Sequence, residues 1–380
     1  MQIQLEKTLD VEVVEGQLAE LWKQIAGGDT SEDEVAVLRA RVANLLVYVP
    51  NAELLDEVRQ MMLELTAVHP SRVLVMHGAR EAPDRDIEMS VESYCQTDKR
   101  TGAKRLCCEE VTLKAQGKFV AELPSAALPL LVSDLATFLW WRDVAQTNEK
   151  VFMSLLRASD RLVIDSVEFE DTQRDLLEIN KIFVAPDFSV GISDLNWARL
   201  TFWRGLLADF YDVPAYQEWL DNINHVRIDY VGPERAPETI APQALLIAGW
   251  LASRLQWELA GELQAGKTSQ TSFNCRSKDD RNIKLELQRV ERGERKPGRL
   301  VKVELRSGGE TEVSFTVARS ADNRHLLSET RLGSETHRGR VLPVRNRTEA
   351  QLLSREMEIL CNDQIYQEAV AVAAQMITKE

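Results

Sequence analysis

The sequence has few of the residues that mark secreted, metal-binding or membrane proteins. Its 380 residues include only five cysteines, without a C-x-x-C pair, which is too few for a disulfide framework in a chain this long. The five histidines are scattered and no H-E-x-x-H motif occurs, so we expect no metal site. Residues 1–30 lack a basic region followed by an apolar one, so we expect no secretory signal, and no apolar run approaches the roughly 20 residues that cross a bilayer. A cytoplasmic protein without a membrane partner is therefore expected.

Familiar enzyme motifs are also missing, and no catalytic residue or cofactor is expected. Neither G-x-S-x-G nor G-x-G-x-x-G occurs. A literal P-loop motif, GELQAGKT, does run from Gly261 to Thr268. A phosphate-binding loop of this kind follows a strand and opens a helix, whereas this segment follows a helical pattern and precedes a strand pattern. We expect its glycines to end the helix. A nucleotide- or sugar-phosphate-binding enzyme that uses Lys267 is the alternative hypothesis.

Charge is unevenly distributed along the chain. The net charge is −14, which argues against general nucleic-acid binding. Residues 271–350 nevertheless hold 18 Lys and Arg against 12 Asp and Glu, a local charge of +6. Such a basic module suggests a specific anionic partner surface or a phosphorylated ligand. The more common explanation is a solvated face of a β-sheet.

The periodicity of apolar residues predicts two domains behind an acidic helical segment that spans residues 1–43. Residues 44–188 alternate strands and helices, including a β-α-β unit and a hairpin, and predict an α/β domain with a mixed sheet. Residues 185–193 are the best linker candidate. Residues 189–380 predict an α+β domain with an antiparallel sheet, a long helix over 242–261 and a C-terminal helix.

The segment DLNWARLTFWRGLLADFYD, residues 194–212, concentrates aromatic residues in a chain that is only 6% aromatic. On a helical wheel its apolar positions cover an arc of roughly 240°, which leaves a narrow polar strip. The helix could be an ordinary core helix with arginines that reach towards solvent. Because Trp and Arg anchor many interfaces, it could instead bind a partner. The candidate partner-binding residues are Asp194, Asn196, Trp197, Arg199, Trp203 and Arg204.

Four segments give the chain a family resemblance. The aromatic segment, LPLLVSDLATFLWWR (128–142), RLVIDSVEF (161–169) and GWLASRLQWEL (249–259) resemble the glucose-6-phosphate dehydrogenase assembly protein family, OpcA. The resemblance implies a non-enzymatic partner that binds this dehydrogenase, promotes its active oligomer and raises its activity in the oxidative pentose phosphate pathway. In oxygenic photosynthetic bacteria it also implies control by thioredoxin, so thioredoxin is a second expected partner.

Three cysteines lie in the predicted hairpin DIEMSVESYCQ–TDKRTG–RLCCEEVTL. With its turn centred near Thr101, facing residues have numbers that sum to 202, which places Cys95 opposite Cys107 and Tyr94 opposite Cys108. Directly opposed residues are close enough for a disulfide, and a slip of one residue in register would remove this pairing. The more common alternative is that all three are buried apolar thiols, which is the usual fate of such cysteines. Cys275 and Cys361 lie in the other half of the chain and could form a rival redox pair.

Overall fold

The computed structural model describes residues 3–5, 11–27, 36–39, 41–66, 68–97, 104–186, 190–260, 264–265, 269–308, 312–344, 347–359 and 361–378. These residues form two compact units, and the chain passes between the units several times. The first comprises Met1–Ile164, Pro186–Leu195 and Arg347–Asn362, and the second comprises Asp165–Ala185, Asn196–Asn346 and Asp363–Glu380. The expected division was a single boundary near residue 188. The chain instead re-enters each unit, because its late segments add helices to both cores.

The first unit is built on a nine-stranded sheet. Its strands are β1 (Ile3–Leu5), β2 (Ala36–Arg39), β3 (Ala43–Val49), β4 (Ser71–Ala79), β5 (Arg85–Thr97), β6 (Lys104–Gln116), β7 (Thr137–Trp141), β8 (Arg161–Ile164) and β9 (Gly191–Asp194). Its helices are α1 (Val11–Gly27), α2 (Glu53–Thr66), α3 (Leu123–Ala127), α4 (Lys150–Arg157) and α10 (Glu349–Met357). The predicted β-α-β unit is confirmed, since β3 and β4 are parallel and α2 lies between them in the chain.

Seven of these strands are mutually parallel: β2 pairs with β6, and the other six run in the order β6-β4-β3-β7-β8-β9. Counted along the chain, that is third, second, first, fourth, fifth and sixth. This doubly wound order is typical of dinucleotide-binding sheets, which hold their ligand where the order reverses, here at the carboxyl ends of β3 and β7. Residues of β3, β7, β8 and β9 are buried on both faces, as expected for parallel strands.

Three expectations for the first unit need correction. The acidic amino-terminal segment is not wholly helical, because residues 3–5 and 36–39 pair with β5 and β6 as short strands. The predicted linker is not free, because residues 191–194 of β9 pair with β8. The strand expected over 161–169 ends at Ile164, where the Asp165 side chain accepts a hydrogen bond from the Val167 amide and starts a single 3₁₀ turn.

The second unit also contains a nine-stranded sheet, in the order β11-β13-β14-β10-β15-β16-β17-β18, with β12 beside β13. The strands are β10 (Ile223–Val231), β11 (Glu258–Leu259), β12 (Gln264–Ala265), β13 (Gln270–Arg276), β14 (Asn282–Val290), β15 (Leu300–Ser307), β16 (Val313–Arg319), β17 (His325–Leu332) and β18 (Glu335–Pro343). The sheet is not wholly antiparallel as expected, because β10 and β14 are parallel. The edge strand β18 was not predicted, because its residues are exposed and show no alternation of apolar and polar side chains.

The helices of the second unit are α5 (Thr172–Val184), α6 (Leu195–Arg199), α7 (Thr201–Asp209), α8 (Gln217–Asp221), α9 (Pro242–Leu255) and α11 (Gln364–Thr378). Leu195, the first residue of α6, belongs to the first unit. The predicted aromatic helix is divided at Leu200 into α6 and α7. The predicted C-terminal helix is likewise divided into α10 and α11. Helix α9 and helix α11 approach so closely that a Cβ on Gly249 would lie 2.2 Å from the Ala369 carbonyl oxygen.

Candidate partner-binding site

The aromatic segment contributes its largest side chains to the core of the second unit. Trp197 is 4% exposed and Trp203 is 1% exposed. The indole nitrogen of Trp197 donates a hydrogen bond to Asp363 Oδ2 at 2.9 Å, and its ring lies 5.5 Å from the ring of Tyr366 on α11. A buried indole N–H needs such an acceptor. These two tryptophans therefore support the fold and have almost no surface to offer a partner.

Asn196 is fully buried and joins three parts of the second unit. Its Nδ2 donates to Ser166 Oγ at 3.1 Å, and its Oδ1 accepts from Gln243 Nε2 at 2.7 Å. Gln243, in the first turn of α9, in turn accepts from the Leu300 amide at 3.1 Å. Asn196 therefore positions α6 against α9 and β15, because a buried amide must have its hydrogen bonds satisfied.

Arg199 pairs with Asp165 in a bidentate arrangement. Its NH1 and NH2 lie 2.7 Å from the two carboxylate oxygens, and the side chains are 16% and 7% exposed. Arg204 stacks instead on Trp197, with its guanidinium carbon 3.7 Å from the ring centroid. Both arginines lie partly at the surface, and both also hold neighbouring side chains in place. The sequence did not single out Asp165, although an Asp directly after a buried strand is the available signal.

The remaining candidates are distributed between the interior and an exposed strip. Asp194 is the last residue of β9 and is 1% exposed. The solvent side of the segment carries Thr201, Gly205 and Asp212, as the wheel predicted. Nothing lies within 4 Å of a Cβ built on Gly205. Of the six candidate residues, only the two arginines are therefore exposed enough to reach a partner directly.

In the first unit, aromatic side chains fill the place where the strand order reverses. Tyr48 and Trp141 are cross-strand neighbours on β3 and β7, and their rings stack at 4.1 Å and 11°. Arg80 lies over Tyr48 at 5.5 Å and bonds Asp143 at 2.9 Å and Glu149 at 3.2 Å. Burial raises the pKa of the Tyr48 hydroxyl well above its ordinary value. The reversal point is therefore a packed and internally paired cluster.

The turn after β3 also lacks the features that bind a pyrophosphate. Dinucleotide sites use a glycine-rich turn and free amides at the start of the next helix. Here the turn reads VPNAE, and Asn51 Oδ1 already accepts from the Leu54 amide at 3.2 Å. Glu53 and Asp56 add negative charge to the first turn of α2, where it would repel phosphate.

The redox candidates lie at the distal part of the β5–β6 hairpin. The predicted register is confirmed, since Cys95 faces Cys107 and Tyr94 faces Cys108. The side chains of Cys95 and Cys107, and the turn over 98–103, lie outside the described residues. Cys108 is a buried cysteine in the reduced state. Cys275 and Cys361 are also in the reduced state, the first buried and the second exposed.

The phosphate-binding alternative finds little structural support. Most of the Gly261–Thr268 segment, including Lys267, lies outside the described residues. Helix α9 already ends at Leu255 with Gln256 in a left-handed conformation, so the glycines do not end it as expected. The described residues after the motif form a turn and then β13, where a P-loop needs a helix.

A cavity of about 520 Å³ lies beside the basic 291–299 turn. Its arginines are already paired, Arg289 with Glu238 and Arg292 with Glu234 at 3.1 Å. A phosphate would therefore have to displace carboxylates from both cations. Across the described residues, no cluster of three or more acidic, cysteine or histidine side chains could hold a metal ion, and none of the helices could span a membrane.

Two family models match the chain in sequence. Residues 63–181 match the glucose-6-phosphate dehydrogenase subunit N-terminal domain, and residues 190–370 match the C-terminal domain of the same subunit. The chain belongs to the OpcA family. The N-terminal model contains Cys95, Cys107 and Cys108, and the C-terminal model contains the aromatic segment from Asp194 onwards.

Three cyanobacterial proteins, each named as a putative OxPP cycle protein OpcA, are similar to this OpcA-family chain. The protein of Nostoc punctiforme is 31% identical over 59% of this chain and 46% of its own length. The protein of Synechococcus elongatus is 28% identical over 80% of this chain and 67% of its own. The protein of Synechocystis is 26% identical over 81% of this chain and 64% of its own length. The chain thus spans about half to two thirds of these relatives.

Solved structures that resemble this chain are remote in sequence. The structure of KijD10, a 3-ketoreductase from Actinomadura kijaniata, aligns with 88% of this chain and 95% of its own chain, at a TM-score of 0.48 and 12% sequence identity. The structure of a levoglucosan dehydrogenase aligns with 88% of this chain and 95% of its own chain, at a TM-score of 0.46 and 8% sequence identity.

Proposed function

We propose that this chain is a non-enzymatic partner of glucose-6-phosphate dehydrogenase that promotes the active oligomer of the enzyme and raises its activity. Both matched family domains are described as parts of a subunit of that dehydrogenase. The observation that carries the proposal is the packed reversal point of the first sheet, where Tyr48 stacks on Trp141. A doubly wound sheet that has filled its own ligand site serves better as a scaffold than as a catalyst.

The rival function is a dinucleotide- or phosphate-using enzyme, which the strand order of the first sheet favours. The residues at the reversal point oppose it. The Asn51 side chain already accepts the hydrogen bond of the Leu54 amide at the start of α2. Glu53 and Asp56 in the first turn of that helix would repel a phosphate group. The stacked rings of Tyr48 and Trp141 lie at the carboxyl ends of β3 and β7, where a dinucleotide would bind. On the other unit, the Gly261–Thr268 motif lacks a following helix among the described residues.

The test combines activity, oligomeric state and ligand binding. Purified glucose-6-phosphate dehydrogenase of the same organism is assayed and sedimented with and without this chain. We expect a higher rate and a shift to the larger oligomer at stoichiometric addition. An unchanged rate and an unchanged sedimentation coefficient would overturn the proposal.

A second arm addresses the enzyme hypothesis directly. The chain alone is titrated with NADP⁺, NADPH and ATP by calorimetry and assayed for turnover of ATP. We expect neither saturable heat nor turnover. ATP hydrolysis that disappears in Lys267→Ala would establish the alternative, and micromolar NADPH binding that is lost on disturbing the turn at Asn51 would do the same for a dinucleotide site.

Redox control through thioredoxin is the finer part of the proposal. Directly opposed antiparallel residues are within the reach of a disulfide, and Cys95 faces Cys107 in this register. A bond between them would join β5 to β6 near the end of the hairpin. A thioredoxin thiolate would attack one sulfur, release the other as a thiol and then resolve the mixed disulfide with its second thiol. Reduction would leave both cysteines as thiols and change the affinity of the chain for the dehydrogenase.

A further inference from the structure

The second sheet has one covered face and one open face among the described residues. Its covered face carries Val226, Leu285 and Phe315, each fully buried, and Phe315 packs on Phe210 just after α7. The opposite face carries side chains that are 33% to 59% exposed, among them Lys284, Lys302, Arg306, Leu327, Glu329, Arg331 and Val341.

The strand register places a pair of neighbouring apolar side chains on this open face. Lys302 faces Ala318, Ala318 faces Leu327, and Leu327 faces Val341, so the four residues form one row across β15 to β18. Leu327 is 37% exposed and Val341 is 59% exposed. A cross-strand pair of exposed apolar side chains surrounded by polar residues is typical of an interaction site.

On the open face, buried carboxylates lie beneath more exposed basic side chains. Glu286 and Glu304 are only 8% and 7% exposed although they lie on the open side. His225 and Lys284 bond Glu286 at 2.7 and 2.5 Å, while Lys302 and Arg306 bond Glu304 at 3.2 and 2.8 Å. Burial alone would raise the pKa of each carboxyl, but these hydrogen bonds outweigh it and lower the pKa of both. Around Glu286 and Glu304 the basic groups therefore lie outermost, whereas Glu329 beside Arg331 is itself 39% exposed.

We propose that this open face, built on β14, β10, β15, β16, β17 and β18, docks onto an acidic surface of the dehydrogenase, an inference that rests on the proposed function. Six strands spaced by about 4.8 Å and some 25 Å long offer roughly 700 Å², close to the roughly 800 Å² that one partner contributes to a standard interface. The exposed cations on the rim would steer association with an acidic partner.

Two other occupants fit the face less well. A second copy of the chain would bring exposed cations against exposed cations across the interface, which is unfavourable. Nucleic acid would meet the carboxylates beneath the cations and a chain of net charge −14, which weakens binding to phosphate backbones. Both are outcomes that the experiment can detect.

The experiment uses two matched pairs of variants in the full chain. Val341→Asp is paired with Val184→Asp, since the two valines are 59% and 67% exposed. Arg331→Glu is paired with Lys181→Glu, since both cations are 59% exposed and each neighbours a glutamate. The control residues lie on α5, which packs against α11. Circular dichroism and thermal melts show that each variant is folded before its affinity for the dehydrogenase is measured by biolayer interferometry.

We expect Val341→Asp to weaken binding by at least about tenfold, or roughly 1.4 kcal/mol, while Val184→Asp binds like the wild type. Arg331→Glu should slow association and flatten the dependence of the rate on salt, and Lys181→Glu should change neither. If the wild type binds and both members of each pair behave alike, the docking face is wrong although the proposed function stands. If the wild type does not bind, both proposals fail.

Self-association and nucleic-acid binding are measured on the same samples. A wild-type dimer in sedimentation that Val341→Asp dissociates would assign the face to a second copy and overturn the commitment to the dehydrogenase. Retention of a mixed-sequence RNA oligonucleotide that Arg331→Glu abolishes would overturn it in favour of nucleic acid.

Discussion

The two sheets of this protein have the same number of strands and opposite exposures. The central strands of the first are buried on both faces, and even the reversal point of the strand order is filled by stacked Tyr48 and Trp141. The second buries one face and presents an array of paired charges on the other. The difference teaches that the site usual for a doubly wound sheet is closed here, and it is the reason that we propose the docking surface on the other unit.

The largest expected effect tests the closed sheet. Trp141→Ala removes a buried indole that contacts Tyr48 and Phe152, and should lower the free energy of unfolding by about 3–5 kcal/mol. Val341→Ala on the open face should change it by less than about 0.5 kcal/mol. Urea denaturation followed by circular dichroism compares the two. Similar losses in both variants would mean that the faces do not differ as described.

The next effect tests the covered side of the second unit. Arg199→Ala leaves the Asp165 carboxylate, 7% exposed, without its bidentate partner. We expect a loss of about 2–3 kcal/mol, below the full 3–5 kcal/mol of a wholly buried pair, because Arg199 keeps some contact with solvent. Adding Asp165→Asn should restore part of the loss, since an amide keeps the hydrogen bond from the Val167 amide. An Arg199→Ala variant as stable as the wild type would show that this pair is dispensable and that Arg199 is free to serve a partner.

A pH experiment addresses the open face. The pKa of Glu304 is lowered in the folded chain from its ordinary 4.5. Its ion pairs therefore stabilise the fold above about pH 4.5, and this stabilisation is lost as pH falls through the lowered pKa. Glu304→Gln should reduce stability by about 1–2 kcal/mol at pH 7 and by less at pH 3, where the advantage of the ionised carboxylate is smaller. A loss that is the same at both values of pH would exclude the ionised carboxylate as its cause.

The smallest expected effect concerns the hairpin at the edge of the first sheet. Mild oxidation should join Cys95 to Cys107 and change the affinity for the dehydrogenase by at most about tenfold, or roughly 1.4 kcal/mol. Peptide mapping identifies the bond, and reduced thioredoxin should open it. Cys95→Ser should abolish the response, whereas Cys275→Ser serves as the control with a buried thiol. A bond between Cys275 and Cys361 would contradict this assignment.

Local patterns of the sequence predicted much of the fold. The β-α-β unit around α2, the β5–β6 register and most strands of the second sheet follow from periodicity and turn residues, which act over short distances along the chain. Boundaries were less accurate. Helix α9 stops at Leu255 through a left-handed Gln256, and the aromatic helix divides at Leu200, because packing rather than propensity decides where such helices end.

The sequence by itself determined the family, through the Trp- and Arg-rich segment and three other matched stretches, and it determined the hairpin register through the count of residues in the turn. The tertiary structure alone decided that Trp197 and Trp203 lie inside their own unit, and that Asp165 rather than a partner receives Arg199. It also decided which sheet face is open. Exposure depends on contacts between residues far apart in the chain, such as Trp197 with Asp363, and no local pattern records those contacts.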